Sequence, residues 1–144
     1  VNGSELTAED YAAVLGAMQS LSATYGARTL NEALSQWRLT VIDLEEGFDT
    51  EWIWEYHNEL VCRDWLHAAW PLLTPRVREV RQAELDEWDR RFVAATLPRR
   101  KADGLPAGMD GRWWHDRYPR RITGERGHDL PPGWSPAPVH ADDD

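Results

Sequence analysis

Three polar side chains stand out for the chemistry their spacing allows: His57, Asp64 and His67. Separations of seven and three residues place them on one face of a helix, together with Ile53 and Leu60. In a helical bundle, a carboxylate and a histidine three residues apart can ligate a metal ion, as in carboxylate-bridged centres. A closed site needs about four convergent ligands, and one helix supplies at most three. No second such set lies on another helix. The expectation is therefore no metal and no cofactor, with His57 and His67 at the edge of a core, hydrogen-bonded to backbone or carboxylate. Cys62, the single cysteine, reads as a small buried hydrophobe and excludes an internal disulfide framework. Ser4, Ser20, Ser22 and Ser35 have no histidine nearby in sequence, and Ser135 sits among prolines, so no nucleophile–histidine–acid set is evident. Gly104, Gly108 and Gly111 follow no strand and lack the Lys-Ser/Thr ending of a phosphate loop.

A second group carries charge rather than a catalytic set. Asp43, Glu45, Glu46, Asp49, Glu51, Glu55, Asn58 and Glu59 run around a predicted helix–turn–helix without one Lys or Arg between them. Acids near a helix N-terminus are favourable, and acidic faces keep domains soluble. The same surface would also attract a basic protein partner. Asp43, Glu46, Asp49, Glu51 and Glu55 would supply the charge, and Trp52 or Trp54 the anchors.

Four helices are expected to position these residues. Thr7-x-x-Asp10 resembles a capping box, and Tyr11, Val14, Leu15, Met18, Leu21 and Ala23 follow at helical spacing, up to Gly26. Thr29-x-x-Glu32 opens a second helix, in which Leu30, Leu34, Trp37, Val41 and Leu44 alternate by four and three until Gly47. A third runs from Asp49 or Thr50 to about Trp70 and is apolar almost all round, which predicts a central position. Thr74-Pro75 starts a fourth, with Leu85, Trp88, Phe92 and Ala95 as its stripe. Short turns between four helices give an all-α fold, a four-helix up-down bundle or a close relative, over residues 1–97.

Residues 98–144 are different material. They hold seven of the nine prolines and few aliphatic side chains, so they cannot build a core of their own. This reads as an extended tail rich in Pro, Gly and Trp, with 98–126 packed on the bundle and 127–144 flexible. Charge supports the division: residues 1–97 carry a net −9, 98–126 a net +4 and 127–144 a net −4. Arg112, Trp113, Trp114 and Arg117 are the expected contacts of the basic stretch with the acidic helices. The alternative is a nucleic-acid clamp in which these arginines, with Arg120 and Arg121, meet phosphates while aromatics stack on bases. A total formal charge of −9 disfavours docking on a polyanion.

The 144 residues lack a run of about 18 apolar positions and a charged-then-apolar leader pattern, so a cytoplasmic protein with no membrane partner is expected. Fifteen of the 16 basic residues are arginine, with only Lys101 as lysine, a usage that fits GC-rich codons.

Trp37-x3-Val41-x2-Leu44-Glu45-x-Gly47-Phe48 and Tyr56-x-Asn58-Glu59-Leu60-x2-Arg63-x2-Leu66 form a pattern with Asp89-x-Arg91-Phe92-x2-Ala95-Thr96 and Trp113-Trp114-x2-Arg117-x-Pro119. It resembles small uncharacterised actinobacterial helical proteins across about residues 30–121. That resemblance implies one contiguous domain that includes the tryptophan-bearing tail, and no named activity. The helix–Glu-x-Gly-Phe–helix layout also resembles small helical immunity proteins, which neutralise toxins through acidic surfaces. The resulting expectation is a non-enzymatic protein-binding domain, with immunity or antitoxin action on a basic toxin as its concrete form. A metal- or ligand-binding bundle enzyme using His57, Asp64 and His67 is the alternative. The oligomeric state is not encoded in any of these patterns.

Overall fold

A computed structural model describes residues 5–99 and 111–144. Lys101, Gly104, Gly108 and the remainder of 100–110, part of the expected packed stretch, lie outside the described residues. Among the described residues the chain forms helices α1 (Ala8–Tyr25), α2 (Leu30–Glu46), α3 (Val61–Ala69) and α4 (Pro75–Ala94). It also forms short strands β1 (Phe48–Asp49), β2 (Thr96–Pro98), β3 (Arg117–Pro119), β4 (Arg121–Thr123) and β5 (Val139–His140). The protein is mostly helical, but the strands correct the all-α expectation. No helix of the described residues is long and apolar enough to cross a membrane.

Helix ends form where local chemistry places them. The Thr7 hydroxyl accepts from the Asp10 N–H at 3.3 Å, and the Asp10 carboxylate accepts from the Thr7 N–H at 2.8 Å. Asp10 also ties two helices together, because it accepts from Thr74 Oγ1 at 2.6 Å while Thr74 caps α4. In α2 the expected seam of Leu30, Leu34, Trp37, Val41 and Leu44 is buried throughout. The α1 stripe is only partly used: Tyr11 and Leu15 remain 62% and 49% exposed, whereas Ala17 and Asp10 are buried.

The expected third helix is three pieces. Thr50–Leu60 winds as a 3₁₀ helix, α3 follows, and Trp70–Leu72 is another 3₁₀ turn. A 3₁₀ winding stacks side chains three apart. The buried residues Thr50, Ile53 and Tyr56 have that period, so the positions between them, including Trp52, Trp54 and Glu55, turn outward. Trp52 itself departs from helical geometry at φ −109° and ψ 15°. In α3, Cys62, Arg63, Asp64, Trp65, Leu66 and Ala69 are all buried, and the helix packs against α1 and α2.

The strands are two or three residues long and join distant parts of the chain. β4 lies between β1 and β5 and is parallel to both, with Phe48 opposite Ile122 and Ile122 opposite His140. β2 and β3 are antiparallel, with Leu97 opposite Tyr118. Gly47 makes the first ladder accessible: its φ is 125°, and a Cβ there would stand 2.6 Å from Thr123 Cγ2 and 3.3 Å from the Ile122 carbonyl carbon. Gly47→Ala is expected to destabilise the fold by about 1–3 kcal/mol, measured as a lower urea midpoint at unchanged slope.

C-terminal arginines finish the helices. Neither α1 nor α2 has a basic residue in its last turn, and terminal carbonyls need donors. For α2, Arg121 supplies one through Nη1 to the Glu45 carbonyl at 2.9 Å. Around the end of α4, Arg120 donates to the Ala94 carbonyl and Arg117 to the Val93 and Thr96 carbonyls. Trp114, Tyr118 and Trp134 enter the common core, Tyr118 and Trp134 stacked at 5.3 Å between ring centroids. Within residues 127–144, Trp134 is buried, β5 pairs with β4, and Asp143 forms an ion pair with Arg126 at 2.7 Å.

Candidate functional site

A continuous polar chain crosses the core from α4 to the surface beside the 3₁₀ helix. Asp89 on α4 accepts from Trp37 Nε1 at 3.0 Å and, in fork geometry, from Arg63 Nε and Nη2, both at 2.9 Å. The Arg63 guanidinium lies 4.3 Å from the centre of the Trp114 ring. Trp114 Nε1 donates to Asp64 Oδ1 at 2.8 Å. His115 Nε2 stands 2.7 Å from that same oxygen, and Arg112 Nη1 is 3.8 Å from Oδ2. His115 Nδ1 faces His57 Nδ1 at 3.3 Å.

Burial pushes the Asp64 carboxyl upward, but hydrogen bonds from His115 and Trp114, with the charges of His115 and Arg112, hold it below the usual carboxylate value. His57 is shifted downward, first by burial and then by the charges of His115 and Arg99, against the opposing charge of Asp64. At neutral pH the geometry therefore presents an ionised Asp64 and an uncharged His57.

The partner of Asp64 is not the histidine that sequence spacing suggests. His115, from the tail, takes that place and connects His57 to Asp64. His67 is exposed and lies edge-on to Trp114, 5.4 Å between ring centroids. Among the described residues no group of three or more His, Cys, Asp or Glu is arranged to hold a metal ion. Cys62 is buried, its thiol pushed up to about 11 by burial. His115 carried no sequence signal for this role beyond its place beside Trp113 and Trp114.

The acidic residues form a second region. Asp43, Glu46, Asp49, Glu51 and Glu55 are all exposed, and Trp52 and Trp54 are 54% and 59% exposed. A cavity of about 270 Å³ brings together Asp43, Glu46, Asp49, Trp52 and Glu59 over the Phe48 ring. Glu51, Trp54 and Glu55 lie outside its lining. Glu59, absent from the sequence-based choice, is raised in pKa by burial and by the Asp43 charge. Among the described residues none of these carboxylates joins an ion pair, whereas adjacent Glu45 is paired with Arg91 on α4. Helical geometry explains the difference, since consecutive residues of α2 point about 100° apart.

The expected tail contacts also have definite places. Trp113 is partly buried against Phe92 at 5.9 Å, Trp114 is fully buried, and Arg117 donates to Thr96 Oγ1 at 2.8 Å as well as to carbonyls. Compared with protein-family models, with curated proteins and with solved structures, the chain matches none.

Proposed function

We propose that this protein is a binding module for another protein, and that its acidic, tryptophan-flanked face receives a basic segment of that partner. One observation carries the reading: carboxylates without ion-pair partners, among the described residues, surround a cavity beside the exposed Trp52 ring. Like charges held together cost energy that a cation relieves, and an exposed indole adds a flat surface on which a guanidinium stacks. Electrostatic steering would speed association with a basic partner and reject acidic ones. Inhibition of a basic toxin is the concrete form of this function. Nucleic-acid binding has less support, because Arg117, Arg120 and Arg121 already donate to backbone carbonyls.

Tryptophan fluorescence with an arginine-rich peptide tests the proposal. The peptide should change the emission of the wild type, with affinity falling as salt is raised. Replacing Glu46, Asp49 and Glu51 together with arginine should weaken binding by about tenfold or more. The same charge change at exposed Glu9, Glu79 and Asp129 should have a much smaller effect. Equal losses in the two triple variants would mean that net charge, rather than this face, attracts the peptide.

A further inference from the structure

We propose that the His57–His115 contact is an acid-sensitive latch: it holds the turn Trp113–Asp116 against the 3₁₀ helix and opens when a second positive charge enters the pair. The latch is separate from the acidic face and independent of what that face binds. The two Nδ1 atoms are 3.3 Å apart and the ring centroids 5.5 Å, so the nitrogens point toward each other. A hydrogen bond across that gap holds one proton, one nitrogen donating and the other accepting. Two protonation states satisfy it. With His115 charged beside Asp64, its Nδ1–H donates to a neutral His57. With both rings neutral, His115 gives its Nε2–H to Asp64 and accepts at Nδ1 from His57. The pair thus tolerates one positive charge. Two imidazolium rings place an N–H on each side, with the hydrogens only about 1.3 Å apart for N–H bonds of about 1 Å, so the rings must separate.

Among the described residues, the charged groups around the pair come from several elements. Asp64 on α3 lies 2.7 Å from His115 Nε2 and attracts the first proton. Arg112, just before the turn, reaches the other Asp64 oxygen at 3.8 Å, and Arg99, just past β2, adds positive charge at His57. Arg63 lies over Trp114 but is paired with Asp89. His67 on α3 meets Trp114 edge-on. One carboxylate therefore faces two histidines and two arginines, a balance that favours one imidazolium and opposes two. The downward shift of His57, from burial and then from His115 and Arg99, agrees with this count. A histidine shifted downward by the fold stabilises it above the ordinary histidine value, and that contribution is lost as pH falls through the shifted value. Asp64 is held below the usual carboxylate value, so it remains ionised through this window. His57 is exposed, so protons reach the pair directly from solvent. The turn matters because it leads into β3, which pairs with β2, and its Asp116 carbonyl accepts from the Arg99 N–H.

Hydrogen exchange of the whole protein, corrected for the intrinsic effect of pH, tests the latch. Between about pH 7 and about pH 5, where histidine pairs change charge, protection of residues 113–119 should fall about tenfold relative to α2. His57→Gln and His115→Gln keep a polar side chain that does not titrate, and each should abolish the fall. His67→Gln, outside the pair, should retain it. In the wild type, imidazole nitrogen resonances of His57 and His115 should titrate in two separate steps, a readout that needs no variant. Unchanged protection of 113–119 relative to α2, an equal fall in a folded His57→Gln, or a single shared step at the ordinary histidine value overturns the inference.

Discussion

Asp89→Ala should be the most damaging single substitution in the polar chain, destabilising the protein by about 3–5 kcal/mol in urea unfolding. The reason is what remains behind. Arg63 is buried and spends its Nε and Nη2 donors on Asp89, and Trp37 Nε1 shares one of the same oxygens. Removing the carboxylate leaves a guanidinium in the interior without its counter-charge and an indole N–H without an acceptor. The double variant Arg63→Met, Asp89→Leu should recover part of the loss, since removing both charges also removes their desolvation cost. Arg63→Met alone should fall between the two. A double variant no better than Asp89→Ala would show that packing, rather than the unpaired charge, dominates.

Trp114→Ala is the second large effect, at about 3–5 kcal/mol for truncating a fully buried aromatic ring. Its consequences extend past the cavity. The ring supports Arg63 on one face, and its N–H holds Asp64 Oδ1. Trp114→Phe retains most of the apolar ring and removes the donor, and should cost about 1–3 kcal/mol. Chemical unfolding gives both values, and limited proteolysis locates the change. If Trp114 anchors the tail, cleavage after Arg117, Arg120 or Arg121 should accelerate in Trp114→Ala well before global unfolding.

These two sites show where sequence reasoning reached and where it stopped. Trp37, Arg63, Asp89 and Trp114 lie in four separate segments of the sequence, and nothing in their spacing says that they touch. Trp37 and Asp89 are 52 residues apart, and Asp64 and His115 are 51 apart. Spacing along one helix paired Asp64 with His67, whereas the fold pairs it with a histidine from the tail. The acidic region was legible as a cluster because its members are neighbours in sequence. Glu59 was not singled out, since it reaches the cavity only through the way the 3₁₀ helix crosses α2. The strands left no mark either: at two or three residues they have no alternation to read.

The arginines show the same division. Fifteen of them in an acidic chain fit codon usage, and composition alone gave them no structural purpose. In the fold, Arg117, Arg120 and Arg121 donate to carbonyls around the ends of α2 and α4. The sequence by itself determined the helix starts at Thr7, Thr29 and Thr74, the stops at Gly26 and Gly47, and the α2 seam. Caps and periodicity act over three or four residues, so each is written locally. Tertiary structure alone decided the 3₁₀ winding that exposes Trp52 and Trp54, the partners of Asp64 and Asp89, and the burial of the tail tryptophans. Each of those depends on apolar surfaces and unpaired polar groups meeting across tens of residues, where the packing of the whole chain selects the partner.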